Sequence, residues 1–530
     1  MGGAQVSLPL VNWVQKSAWL SLLLAAVLIA LLYWRPGERP RGTPQGALVV
    51  YCAAGLKPPV EAVVQAYEKE SGARVQLQYG GSGTLLSNLR VARRGDLFIA
   101  ADQSYLDLGR SNQVVAEILP IGMMRAVAAV RRGNPKHIAA LADLVREDVR
   151  IALANPDAAA VGKLTRELLE RSGGQAGAPT FLSAPGGGQA GADRNVGAPG
   201  GEWTSLERHA RVLKPTVNEV ANDVKLGEVD AGIVWDATVK LYPDLEPVEL
   251  RELTGAREKV AVGVLSFSQQ PAAALRLARY LTARDKGLRE FARAGYQVID
   301  GDTWAERPEV VLFSGGVNRL AVEQTIGRFE QREGARVTRV YNGCGILVSQ
   351  MKAGQHPDAY LACDVSFVPP VQDLFEAPVE ISETDIVILA AKGNPKGIRS
   401  LADLAQPGLR LGVANAKQST LGDLTVKLLQ PMGILEAVMA NVKTQTPTAD
   451  LLVNQMRTGA LDAVMVYAAN TSQVRDKLEI VPLSGPGGKA VQPFAVGKNS
   501  GHRYLMGRLL EAIRSPESRR LYESLGFRWR

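Results

Sequence analysis

The chain carries few side chains of the kinds that hold metals or break bonds. Its 530 residues include three cysteines, Cys52, Cys344 and Cys363, and four histidines, His137, His209, His356 and His502. Zinc sites draw three or four such ligands together, usually from closely spaced pairs. No two of these residues are so spaced, except that Cys344 and Cys363 are near enough in sequence to leave a disulfide open; they are read as buried thiols. Asp96 and Asp102 resemble a carboxylate pair for acid–base work, but they flank the apolar run LFIAA at 97–101. Asp at strand ends closes turns and caps helices, so both are read as structural. No nucleophile–base pair, phosphate-binding glycine loop or metal cluster is present, and neither an enzyme nor a cofactor is expected. What remains is Ser82, a hydroxyl set between Gly81 and Gly83. Read from the residues alone, a serine so placed is the N-cap of the next helix.

The elements that position Ser82 alternate in type. ALVVY at 47–51 reads as a strand, 60–70 as a helix with Val60, Val63, Val64 and Tyr67 on its apolar face, and RVQLQY at 74–79 as an alternating strand. This β-α-β rhythm predicts an α/β fold with a mixed, mostly parallel sheet. A hydrophobic fraction of 46% with 22% charged residues is that of a globular chain. The net charge of +8 is spread thinly, with no basic stripe interleaved with aromatics, which argues against nucleic acid as a partner. Residues 18–34 form an unbroken apolar run between Lys16 and Arg35, with Trp19, Tyr33 and Trp34 at its edges. A run of about 17 to 25 such residues spans a bilayer, and no small-x-small cleavage site follows, so residues 1–46 are read as an uncleaved membrane anchor and linker. Arg35, Arg39 and Arg41 follow the run while Lys16 precedes it, a charge bias that runs against an outward-facing body.

The remainder is duplicated. GNPK at 133–136 returns at 393–396, and LADL at 141–144 returns at 401–404, both at an offset of 260. Tyr79 pairs with Tyr341 and Asp96 with Asp358 at 262, Gly162 with Gly422 at 260, Gly227 with Gly459 and Trp235 with Tyr467 at 232, and Gly295 with Gly526 at 231. The fall in offset is explained by a Gly-, Ala- and Pro-rich stretch at about 172–201, which only the first copy has and which cannot form a core. The period is too long for a solenoid, so two complete domains are expected, 47–307 and 308–530.

The motifs YCAAGLKPPVEAVVQAYEKESGARVQLQYGGSGTLLSNL at 51–89, GDLFIAADQSYLD at 95–107, ANPDAAAVGKLT at 154–165 and VNEVANDVKLGEVDAGIVW at 217–235 resemble the molybdate-binding periplasmic proteins of ABC importers. The resemblance covers the first copy and, more divergently, the second, through HPDAYLACD at 356–364, ANAKQSTLGDLT at 414–425 and NQMRTGALDAVMVY at 454–467. It implies tandem type II periplasmic binding folds, each of two lobes with a ligand cleft between them. It also implies an oxyanion held by hydroxyls and backbone N–H groups at loop and helix starts. Carried over by motif, the five positions fall on Gly55, Ser82, Val161, Val217 and Trp235 in the first copy, and on Gly316, Cys344, Leu421, Ala449 and Tyr467 in the second. The first copy keeps one of the family's two serines and replaces its tyrosine by tryptophan; the second keeps the tyrosine and neither serine.

The reading that follows is a membrane-tethered extracytoplasmic solute-binding protein that captures an oxyanion, molybdate or tungstate foremost, for an ABC permease and ATPase. The alternative is a ligand-binding sensor or scaffold in which one or both clefts have diverged. Lys57 and Lys163 are read as solvated surface lysines rather than anion-steering groups.

Overall fold

A computed structural model describes Gly2 and residues 46–174, 201–483 and 488–530. The apolar run at 18–34 and nearly all of the insertion at 172–201 lie outside the described residues. Among the described residues no helix is long and apolar enough to cross a membrane.

Leu48–Arg530 forms one compact unit with two hydrophobic cores, one per copy. The first copy begins with β1 (Leu48–Ala53), buried on both faces as a central parallel strand must be. The helix Lys57–Ser71 follows, opened by proline in its first turn and closed by Gly72 at φ 69°, whose amide bonds the Glu68 carbonyl. β2 (Val75–Gly80), the helix Ser82–Ala92, β3 (Leu97–Ala100) and the helix Gln103–Ser111 complete the opening half. Then come the long β4 (Val115–Arg131), β5 (Ile151–Ala154), the helix Ala160–Gly174, β6 (Ala210–Lys214), the helix Val217–Leu226, β7 (Ala231–Trp235), β8 (Leu245–Val248), β9 (Arg257–Leu265) and β10 (Gln297–Val298).

The strand order is β2-β1-β3-β9-β4-β7-β5-β6. One strand serves both lobes: β4 pairs with β9 from Val115 to Arg125, then with β7 and β8 from Ala126 to Arg131. The first lobe therefore holds β1–β3, β9 and the opening of β4, and the second holds the rest of β4 with β5–β8. The sheet is mixed rather than mostly parallel. Only the outer β-α-β units pair in parallel, whereas every ladder of β4 and β9 is antiparallel, because β4 leaves the first lobe and β9 returns beside it in the opposite direction.

The second copy repeats this plan with β11 (Glu309–Gly315), β12 (Arg336–Asn342), β13 (Ala359–Leu361), β14 (Val379–Ala391), β15 (Leu411–Ala414), β16 (Val442–Thr446), β17 (Ala463–Tyr467), β18 (Leu478–Pro482), β19 (Lys489–Val496) and β20 (Arg528–Trp529). Its order is β12-β11-β13-β19-β14-β17-β15-β16, with β14 as the shared strand. The duplication extends to single hydrogen bonds. Asp96 accepts from the Val49 amide (2.8 Å) and the Ser268 hydroxyl (2.6 Å), and Asp358 accepts from Val311 (2.7 Å) and Ser500 (2.6 Å). In the two GNPK turns Asn134 and Asn394 adopt φ 42° and 47°, and each side chain clasps both backbone groups of the isoleucine four residues on.

The copies are joined by a buried ionic cluster. Glu333, 3% exposed at the end of the helix Arg319–Glu333, receives Arg508 at 2.7 and 3.0 Å and faces Arg279 of the first copy at 3.8 Å. Burial pulls Arg279 down to about 10, with Glu333 opposing the shift. Asp302 caps the helix Arg503–Ile513 through the amides of Tyr504 and Leu505, both at 2.9 Å, and Glu117 pairs with Arg332.

Candidate functional site

The first cleft lies where the two lobes meet. The turns after β1 and β2 approach it from one side; the starts of the helices Ala160–Gly174 and Val217–Leu226 and the end of β7 approach from the other. Between them is a cavity of about 20 Å³ whose lining includes Gly55, Ser82, Ala101, Ala159, Ala160, Thr216, Val217 and Trp235. The other lining residues are alanine and glycine, so no charged side chain reaches it. Three helices begin at its wall, and the first N–H groups of a helix have no partner within it.

Four of the five residues assigned to this cleft from sequence line the cavity: Gly55, Ser82, Val217 and Trp235. Val161 does not. It is the second residue of its helix with its side chain wholly buried, and Ala159 and Ala160 line the cavity in its place. Ser82 is not an N-cap, since Gly81 holds that position and no side chain caps the helix. Instead the Ser82 oxygen accepts the Ala101 amide at 3.2 Å, which leaves its own O–H to donate. Gly55 is pinned: a Cβ there would stand 3.0 Å from Val217 Cγ2 and 3.6 Å from Thr238 Oγ1, while Tyr296 holds its carbonyl at 3.0 Å. Trp235 is 1% exposed at the end of β7.

The lobes are closed on each other. Gly83 donates its amide to Ala158 O (3.1 Å), Asn218 Nδ2 reaches Ala54 O (2.8 Å), and a Cβ on Gly81 would lie 2.3 Å from Ala158 O and 2.8 Å from Pro215 O. Lys163 crosses the same gap, donating to Ser104 Oγ at 2.7 Å, with Asp102 at 3.8 Å and its ammonium 4.8 Å from the Tyr105 ring centre. The sequence reading of Lys163 as a solvated lysine is thus replaced by an inter-lobe latch. Lys57 stays at the surface beside Glu61. Asp102 caps the helix Gln103–Ser111 through the Ser104 amide at 2.7 Å. Burial, then Asp102, pushes the nearby Glu258 up to about 7. Sequence reasoning missed Thr216, although Thr216 and Glu219 have capping-box spacing and the Glu219 amide bonds Thr216 Oγ1 at 3.3 Å. It also missed Thr238, whose buried hydroxyl has no partner and whose sequence surroundings carry no signal.

The second cleft has the same walls and a different interior. Strand register corrects one assignment: Ala53 faces Gly80 and Gly315 faces Asn342, so the offset here is 262, and Gly316 corresponds to Ala54 while Gly55 corresponds to Val317. Cys344 opens the helix Cys344–Lys352 as Ser82 opens its own, and its sulfur accepts the Cys363 amide at 3.1 Å. Cys363 replaces Ala101. Its sulfur lies against Gly315, Cys344, the Val317 amide and the Thr420 hydroxyl, the counterparts of Ala53, Ser82, Gly55 and Ala160 around the first cavity. The Cys363 sulfur therefore crowds the point where these four wall residues meet, 2.1 Å from where a methyl at Gly315, the counterpart of the Ala53 methyl, would stand. Leu421, like Val161, turns its side chain into the core; Ala449 begins the helix Ala449–Arg457; and the Tyr467 hydroxyl is buried without a partner. The hydrogen bond to Cys344 and burial push the Cys363 thiol well up, and burial does the same to Tyr467.

The family described as bacterial extracellular solute-binding protein matches residues 48–297 and again residues 310–528. The chain belongs to this family. Each half is matched by this family's model, and the proteins it resembles are binding proteins rather than enzymes. A binding protein of Haemophilus influenzae is 26% identical over 249 residues, covering 47% of this chain and 90% of that protein. The molybdate-binding protein ModA of Mycobacterium tuberculosis is 27% identical over 223 residues, covering 41% and 84%. Among solved structures, the periplasmic molybdate-binding protein of Azotobacter vinelandii aligns at 16% identity and TM-score 0.36 over 41% of this chain and 98% of that one. The sulfate-binding protein SubI of Mycobacterium tuberculosis aligns at 15% and 0.38 over 42% and 86%.

Proposed function

We propose that the first domain captures a tetrahedral oxyanion, molybdate or tungstate foremost, and delivers it to an ABC permease. On this reading residues 18–34 tether the protein as a single-pass anchor and hold its body in the extracytoplasmic space. The observation that carries the proposal is the character of the first cavity: closed between two lobes, free of charged side chains, and walled by helix starts and one spare serine O–H. Such a site neutralises a dehydrated anion with oriented N–H dipoles, while a cation would find no carboxylate there. The likeness to molybdate-binding proteins over most of their length supports the choice of ligand. Within the site, Ser82 donates its hydroxyl, the backbone near Gly55, Ala160, Val161 and Val217 supplies N–H groups, and Trp235 forms a wall. The second reading, a sensor or scaffold uncoupled from transport, draws on the second cleft, whose wall carries Cys344 and Cys363 in place of Ser82 and Ala101.

The test is calorimetry of the chain from residue 46 onward with molybdate, tungstate, sulfate and phosphate. Ser82→Ala should weaken binding of the preferred anion by about 1–3 kcal/mol, the usual worth of a hydrogen bond to a charged group. Unchanged affinity for every anion would reduce Ser82 to a structural role and remove the site assignment.

A further inference from the structure

The second cleft has exchanged an anion cradle for a pair of thiols, and three positions changed together to make it. Ser82 corresponds to Cys344, Ala101 to Cys363, and Ala53 to Gly315. The last change makes room for the other two: a Cβ on Gly315 would stand 2.1 Å from the Cys363 sulfur and 3.1 Å from the Cys344 sulfur. The two sulfurs thus crowd one point in a closed cleft. Around it are the buried hydroxyls of Thr420, Tyr360 and Tyr467. Nothing in the fold of the domain calls for this arrangement, since the first copy builds the same lobes with serine and alanine.

We propose that Cys344 and Cys363 are a redox-active dithiol, oxidised to an intradomain disulfide by a low-molecular-weight disulfide when the lobes of the second domain open. The two sulfurs have different roles. Cys344 is the first residue of a nine-residue helix, and its sulfur already accepts an amide hydrogen bond. Both features favour a thiolate, so Cys344 is the attacking group. Cys363, buried and held as a neutral thiol, is the resolving group. In the first step the Cys344 thiolate attacks one sulfur of the oxidant, forming a mixed disulfide and expelling one thiolate. In the second, Cys363 loses its proton, attacks the Cys344 sulfur and expels the other thiolate. The domain gives up two electrons and two protons, and the oxidant becomes two thiols. The second domain then reports redox conditions through a cleft whose wall carries thiols where the first has serine and alanine.

The full chain is reduced, freed of reductant and incubated with oxidised glutathione, and its remaining thiols are alkylated and mapped by mass spectrometry. Two of the three thiols should be lost, with one cross-linked peptide pair joining Cys344 to Cys363 and Cys52 left free. Cys344→Ser and Cys363→Ser should each abolish the cross-link, while Cys52→Ser leaves it intact. Gly343→Ala should accelerate oxidation several-fold, because a Cβ there would lie 2.2 Å from Gln418 O and 2.4 Å from Pro447 O and hold the lobes apart. Three thiols retained in the wild type, a glutathione adduct on Cys344 that never resolves, or cross-links through Cys52 would each overturn the proposal. Because this readout involves no oxyanion, it stands or falls separately from the transport reading.

Discussion

Ser82 and Cys344 begin equivalent helices and accept equivalent amide hydrogen bonds, from Ala101 at 3.2 Å and from Cys363 at 3.1 Å, yet one helix start faces a cavity and the other a sulfur. The walls were conserved by the duplication down to single side chains, as the matched Asp96 and Asp358 show. What differs between the two clefts is a set of three wall positions: Ser82, Ala101 and Ala53 in the first are Cys344, Cys363 and Gly315 in the second. In a site whose donors are mostly backbone N–H groups, the identity of the ligand depends less on charged residues than on which side chains stay small.

The largest effect expected to break this comparison comes from the lobe contacts. Gly81→Ala places a methyl 2.3 Å from the Ala158 carbonyl, which belongs to the backbone of the opposite lobe and cannot swing aside. Oxyanion affinity should fall by about a hundredfold or more, roughly 3 kcal/mol, in calorimetry. The matching Gly343→Ala change should leave oxyanion affinity untouched if the first cleft alone binds the anion, as proposed.

On stability rather than affinity, the largest effect comes from the ionic cluster between domains. Glu333→Ala leaves Arg508 and Arg279 buried without their carboxylate, and breaking such a pair costs about 3–5 kcal/mol. Chemical denaturation should show that loss while anion affinity in the first domain is unchanged, separating what holds the domains together from what binds ligand.

The latch sharpens the comparison further. Lys163 has Asp423 at the corresponding position in the second copy, and Asp423 pairs with Lys427 on its own helix instead of crossing the cleft. Lys163→Met should weaken anion binding by about 1 kcal/mol, discounted for its partial exposure, and calorimetry reads it directly.

The smallest effect is a pH slope. Glu258 is held at about 7 in the folded state, against about 4.3 unfolded. The folded protein therefore binds this proton more tightly, so the associated stability is fully present below the unfolded value and is lost as pH rises through about 7. Glu258→Gln should flatten the fall in stability between roughly pH 5 and 7, measured as melting temperature against pH.

Much of this was legible in the sequence because repetition is a strong signal. Matched motifs located both domains, and the periodicity of 47–79 identified the opening β-α-β unit. The parallel character of the sheet was overestimated, since the long antiparallel pair β4 and β9 is formed by segments about 140 residues apart that no local pattern connects. Gly316 was placed one residue out because Gly55 was matched to a glycine, whereas strand register makes Val317 its counterpart. The motifs pointed to Gly55, Ser82, Val217 and Trp235, which line the first cavity. The meeting of the two thiols was not legible, because Cys363 reads as an ordinary buried thiol until Gly315 is seen beside it.

The central claim is that one cleft of two binds an oxyanion. The most direct measurement is the stoichiometry of binding to the intact, reduced protein by calorimetry with the best anion from the screen. One anion per chain, abolished or sharply weakened by Gly81→Ala and indifferent to Gly343→Ala, is the predicted result. Two anions per chain, or one that survives Gly81→Ala and is lost with Gly343→Ala, would contradict it.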